Sequence, residues 1–338
     1  MKKSLQESRL SIPEVNLSKL SRMVITVILM MGICLSTISP ITLVSSKDLN
    51  HDKVSHLHEL INVCNSPIIH TDTTWTADNV YQVPNCVVTV NADVTLTIEA
   101  GTVVQFGGGT SGLIISGTLT AIGTNTSPVV FTSINDNSDS GGGNTANPGD
   151  WWGIVLREGS SATFDYAHIR YAGSDLFKSD YADPVNNSGY NRAQLDVRNA
   201  SLSMDHSEIV NGEATGLFLD GAGLTPLVQN SEFANNTIDN DSFNVGAAIQ
   251  QKTINMQPTF TNLTFSGNTR DQVVIPVGTL SQDVTLGGAP LGLTCGSNDC
   301  PITVASPYTL TIQPGAELDM TTGYLFFSSC KTVGPSQR

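Results

Sequence analysis

Five side chains able to move protons or hold cations recur in step along this chain. Asp165, His168, Asp205, Glu208 and Glu232 sit at matching places in a seven-residue motif that occurs four times. The copies are Phe164-Asp-Tyr-Ala-His-Ile-Arg170, Met204-Asp-His-Ser-Glu-Ile-Val210, Val228-Gln-Asn-Ser-Glu-Phe-Ala234 and Phe260-Thr-Asn-Leu-Thr-Phe-Ser266. An apolar residue holds the first place of each copy and another the sixth. If Phe164 and Ile169 point inward, alternation along an extended chain sends Asp165, His168 and Arg170 outward. Stacking the copies as neighbouring strands then sets Asp165 beside Asp205, and His168, Glu208 and Glu232 in one column. Carboxylates about 4.8 Å apart perturb each other's ionisation or recruit a cation. That separation is also close to the one at which glycoside hydrolases place acid and nucleophile. The plainer reading, a polar solvent face, is preferred, because fold analogy alone does not make a catalyst.

Two further groups could bind ligands. Asn135, Asp136, Asn137 and Asp139 lie in one polar loop followed by glycines, and such loops offer oxygens to Ca2+. No Glu follows at the spacing of an EF-hand, so a solvated loop is preferred, with Ca2+ as the one cofactor considered. Trp151 and Trp152 follow Asp150 and could stack on sugar rings; at least one of them is expected to pack in the core. His51, His56, His58 and His70 cluster early but read as linker residues without a fixed ligand set. Zinc is disfavoured, because only one close Cys pair exists. The chain has no Gly-x-Ser-x-Gly, no His-Glu-x-x-His and no phosphate-binding loop.

The elements that position these residues follow from the repeat. The copies are 40, 24 and 32 residues apart, the smallest being about one coil of a solenoid and the others a coil with an inserted loop. A single coil cannot bury its apolar face alone, so it must stack on its neighbours. A second repeat aligns Cys86–Gly101 with Cys300–Gly315 without gaps at an offset of 214, including Thr95-Leu-Thr-Ile98 on Thr309-Leu-Thr-Ile312. Helical periodicity is missing beyond residue 46, which excludes a doubly wound α/β sheet. The predicted fold is all-β: a right-handed parallel β-helix with long loop insertions, of roughly seven coils over the first copy and about 35 Å long. The expected organisation is 1–46 signal peptide or signal anchor, 47–72 linker, 73–276 β-helix, and 279–338 the start of a second or closing copy.

The N-terminal stretch is basic, then apolar from Met23 to Leu35, then small and polar up to Ser46, the order of an export signal. Cleavage after Ser46 is expected, with an uncleaved anchor as the alternative and the sole membrane contact. Export permits disulfides, and Cys64–Cys86 and Cys295–Cys300 are the candidate pairs, leaving Cys330 over. Five of the 16 Lys/Arg and two of the 30 Asp/Glu lie in residues 1–46, which leaves the remainder at a net charge of −17. A surface that acidic repels nucleic acid.

Thr95–Phe106, Gly117-Thr-Leu-Thr-Ala-Ile-Gly123, Pro128-Val-Val-Phe-Thr-Ser133 and Gly149-Asp-Trp-Trp-Gly-Ile154 carry a resemblance. The chain, over about 73–320, resembles bacterial and archaeal cell-surface right-handed parallel β-helix repeat proteins, a non-catalytic branch of the pectate-lyase-like superfold. The resemblance implies a secreted or cell-surface setting and no particular reaction. The expected function is therefore an exported surface module with a structural, adhesive or glycan-contacting role, whose partners are polysaccharide or cell-envelope components. The alternative is a polysaccharide lyase or glycoside hydrolase working on the outward strand face with Asp165, His168, Asp205, Glu208 and Glu232.

Overall fold

The computed structural model describes residues 59–138, 145–174, 193–237, 246–294, 301–319 and 324–327. Nearly all the regular structure is strand, and every strand pair in the sheets is parallel. Successive strands visit three sheets in turn. One sheet has eight strands, from Glu59–Asn62 through Val129–Ser133, Ala167–Arg170, Glu208–Val210 and Glu232–Ala234 to Thr264–Ser266. A second has ten and a third has seven. Parallel neighbours joined by a full circuit make a β-helix, with the right-handed crossover that parallel connections adopt. Seven of the ten strands in the longest sheet lie between residues 73 and 276, the coil number expected from the repeats.

Alternation builds the core. Thr118–Ile122 buries Leu119 and Ala121 and turns its threonines outward. On the seven-stranded sheet the inward column runs Trp75, Ile98, Ala121, Phe164, Met204, Val228, Phe260 in register. The large Phe164 lies beside the small Ala121, so neighbouring coils interdigitate at interior density. On the eight-stranded sheet the column is Val104, Phe131, Ile169, Ile209, Phe233, Phe265. The first and sixth places of the repeat are thus the core of two adjoining faces.

One residue makes the corner between those faces. Tyr166, His206, Asn230 and Asn262 hold the third place, and all four have left-handed backbone, φ 43° to 50°. Asn adopts that region most readily because its amide bonds locally. Here Asn262 Nδ2 donates to Asn230 Oδ1 at 3.0 Å. Beneath the corner, the Ala167 N–H donates to Ser207 Oγ (3.0 Å) and the Ser207 N–H to Ser231 Oγ (3.2 Å). Each serine hydroxyl donates back to a carbonyl two residues earlier, Asp205 at 2.7 Å and Gln229 at 2.6 Å. These ladders satisfy backbone groups that the bend removes from the sheets.

Pairing begins earlier than the sequence implied. Glu59–Asn62 pairs with Asn79–Val83, and Ile68–Ile69 with Val87–Val90, so residues 59–72 are coil of the helix and not linker. Their apolar residues lack alternation, and a Cys64–Cys86 disulfide (Cα–Cα 5.7 Å) ties this coil to the next. At the other end, Arg270–Pro276 pairs with Leu291–Thr294 and Gly278–Thr279 with Pro301–Val304, so the repeated segment continues the same stack. Cys295, Cys300, Cys330 and the segment 1–46 lie outside the described residues. Among the described residues no helix is long and apolar enough to cross a membrane.

Candidate functional site

The repeat's outward side chains meet on one strip, the corner and the adjoining edge of the eight-stranded sheet. Register places Asp165 against Asp205, His168 against Glu208, and Glu208 against Glu232. The structure therefore sets Asp165 beside Asp205 on one side of the corner, and His168, Glu208 and Glu232 in one column on the other. Next to them a groove of about 410 Å³ runs between the corner residues His206, Asn230 and Asn262 and the strand residues His168, Glu208, Glu232 and Thr264. Ser207 and Ser231 form its floor.

The carboxylates along the strip differ in freedom, Glu208 and Glu232 lining the groove and Asp205 lying beside it. Glu208 Oε1 accepts from Arg170 Nη2 at 2.7 Å and Nε at 2.9 Å. Arg170 Nη2 also lies 2.7 Å from His168 Nδ1; with the guanidinium as donor, that ring nitrogen is the acceptor. Glu232, one coil further on, is exposed. Asp205 is held from the neighbouring coil by Gln229 Nε2 (2.7 Å) and Asn230 Nδ2 (2.8 Å). Burial raises the Asp205 carboxyl, but those amides and the adjacent His206 outweigh it and leave it below its ordinary value. A general acid needs the opposite, a carboxyl raised towards neutrality. Glu208, for its part, is neutralised by a cation.

His206 was not singled out from the sequence. It occupies the third place of the repeat, where Tyr, His, Asn and Asn look unrelated until the shared backbone geometry is seen. Its ring stacks on Tyr166, centroids 4.6 Å apart and planes 5° apart. Its Nδ1 lies 3.0 Å from Asp205 Oδ1 and 3.4 Å from Asp165 Oδ1.

The two other expected sites fare differently. Trp151 is completely buried, stacks on Phe106 at 4.1 Å, and donates from Nε1 to the Arg170 carbonyl at 2.7 Å. It is a core residue, closed to any sugar, which corrects its reading as a ligand contact. Trp152 is half-buried and lies over Gly112, where a Cβ would come within 2.7 Å of its ring. In the polar loop, Asp136 is buried; its Oδ2 accepts from Thr132 Oγ1 (2.6 Å) and its Oδ1 from Ser138 Oγ (2.6 Å) and N (3.0 Å). Burial raises this carboxyl, but the Ser138 and Thr132 bonds, with Arg170 behind them, bring it below its ordinary value. Asn135 Nδ2 donates to Asp150 Oδ2 at 3.1 Å, where Ser133 Oγ (2.5 Å) and the Asn147 N–H (3.2 Å) also converge. Asp136 thus engages both carboxylate oxygens, and Asn135 its Nδ2, in hydrogen bonds within the loop and to Asp150. Asn137 is half-buried and also engaged, and Asp139 lies outside the described residues. His70 Nδ1 bonds with Asn91 Nδ2 at 2.9 Å, within the first coils.

Residues 67–212 match the family model of a pectate-lyase like beta helix domain. No curated protein and no solved structure matches the chain.

Proposed function

We propose that this chain is an exported, non-catalytic β-helix module that contacts glycans through the groove beside its Tyr166–Asn262 corner. The observation that carries the reading is the pairing of the groove residue Glu208 with Arg170. A carboxylate so neutralised is a fixed hydrogen-bond acceptor, suited to orienting hydroxyls and poorly suited to general acid chemistry. Asn230, Asn262, Thr264 and Glu232 add donors and acceptors along the same line. Sugar hydroxyls are recognised by such sets of polar groups on a rigid scaffold, and a solenoid repeats them at the strand spacing. The −17 net charge outside residues 1–46 disfavours polyanions, so the ligand class is an uncharged polysaccharide of the cell envelope or its surroundings. Export is supported by the basic, apolar, small order of residues 1–46 and by the Cys64–Cys86 disulfide.

The test is electrophoresis of the full chain through native gels that contain a panel of neutral polysaccharides. Retardation in one gel, lost on Thr264→Tyr, which fills the groove, supports the reading. Retardation that survives both Thr264→Tyr and Glu232→Ala places binding elsewhere and overturns it.

A further inference from the structure

We infer that the outer face of the seven-stranded sheet is an ice-binding surface, a lattice of hydroxyls whose ligand is crystalline water. This inference is independent of the glycan reading. Four neighbouring strands of that sheet, Thr95–Ile98, Thr118–Ile122, Ser161–Asp165 and Ser201–Asp205, pair in continuous register. Each opens with a hydroxyl residue, an apolar residue and a second hydroxyl residue: Thr95-Leu-Thr97, Thr118-Leu-Thr120, Ser161-Ala-Thr163 and Ser201-Leu-Ser203. The middle residue of each is buried, and the hydroxyl residues beside it face outward, half-buried or exposed. Register stacks them in two columns, Thr95, Thr118, Ser161, Ser201 and Thr97, Thr120, Thr163, Ser203. Thr74 extends the second column by one coil.

These columns form a two-dimensional lattice. Its repeat is about 4.8 Å from strand to strand and about 6.6 Å from a residue to the second one along. The oxygens on a prism face of hexagonal ice repeat at closely similar lengths. Thr118 Oγ1 and Ser161 Oγ lie 3.2 Å apart, so hydroxyls of neighbouring coils are already aligned. β-Branching stiffens each threonine at χ1 and fixes its hydroxyl direction. A hydroxyl donates and accepts, as a lattice water does, and the threonine methyl restricts the water lying against it.

A second observation separates this face from ordinary strand surface. The same coils place Gln82, Gln105, His168 and Arg170 on the outside of the eight-stranded sheet, and Asp196 and Arg198 on the outside of the ten-stranded one. The eight lattice positions carry no charge and no amide, although the chain has a net charge of −14. A charged side chain would hold its own hydration shell and break the register of a crystal surface. The lattice also has no aromatic ring on which a sugar could stack.

The experiment follows single ice crystals in a droplet of the full-length protein held just below freezing, recording crystal shape and thermal hysteresis. Thr120→Lys puts a hydrated charge in the middle of the lattice. Gln82→Lys makes the same change on the eight-stranded sheet, where Gln82 Nε2 donates to Gln105 Oε1 at 3.1 Å and a lysine amine can replace it. Circular dichroism checks that both variants fold. The expected result is faceted crystals and thermal hysteresis with the parent and with Gln82→Lys, and loss of both with Thr120→Lys. Rounded crystals with the parent overturn the inference, as does shaping that Thr120→Lys keeps or that Gln82→Lys loses. A parent that leaves ice unshaped but sediments with microcrystalline cellulose overturns it in favour of a crystalline glycan.

Discussion

Arg170 places two nitrogens on a single oxygen of Glu208, at 2.7 and 2.9 Å, from the adjacent coil. The pair bridges coils where Glu208 also stands in register with Glu232. Removing the cation leaves two stacked carboxylates to repel each other. Both partners keep some exposure, so their coupling is worth about 1 kcal/mol, between a surface pair and a buried charged bond. A double-mutant cycle of Arg170→Gln and Glu208→Gln in urea should return that coupling. A coupling near zero would mean that Glu208 is free to do other chemistry.

Trp151→Ala should cost about 3–5 kcal/mol of stability, as expected for an emptied aromatic site facing Phe106. Trp152→Ala, at a half-buried position, should cost about 1 kcal/mol. Urea unfolding midpoints of the two variants decide this. Equal costs would contradict the assignment of Trp151 alone to the core.

Carboxylates shifted from their ordinary ionisation should divide the pH dependence of stability. Asp136 and Asp205 have folded-state pKa values below 3.8, so their contribution is complete above that value and is lost as pH falls through the folded values. Asp196 is opposite: its burial outweighs the Arg198 guanidinium and raises it. Its ionised form therefore costs stability near neutrality, and that cost is relieved as pH falls through its folded value above 3.8. Unfolding midpoints followed from pH 7 downwards should lose the upper component in Asp196→Asn. They should lose part of the acid limb in Asp136→Asn. Identical profiles in parent and variants would refute the assignment.

The Cys64–Cys86 bridge closes a loop with a sequence separation of 22 at the first coils. A link over that length contributes about 3 kcal/mol by restricting the unfolded chain. Replacing both cysteines by alanine should lower stability by that amount and expose residues 59–90 to proteases first. Unchanged proteolysis there would show that the bridge is dispensable for the end of the stack.

Much of this fold was legible from period alone. Phe164 and Ile169, five residues apart and echoed by Met204 and Ile209, fixed which side chains face inward, and hence the column of His168, Glu208 and Glu232. What period cannot reveal is which neighbour a polar atom selects. Thr132 and Ser138 flank Asp136 in sequence, yet only the folded turn aims their hydroxyls at it. Paired tryptophans have opposite fates at a corner, and sequence does not say which turns in. His206 was hidden because the third place conserves a backbone angle, not a side-chain type. Residues 59–72 were hidden because their short strands carry no alternation.

The central claim, that the groove beside His206 and Glu232 binds a neutral glycan without cleaving it, is tested most directly by one combined assay. The protein is incubated with the polysaccharide that retards it, and the polymer's size distribution is followed by size-exclusion chromatography. The account predicts retardation that Thr264→Tyr abolishes and a polymer whose length does not change. Shortening of the polymer by the parent protein, lost on Glu208→Gln, would contradict the account and make the strip an active site.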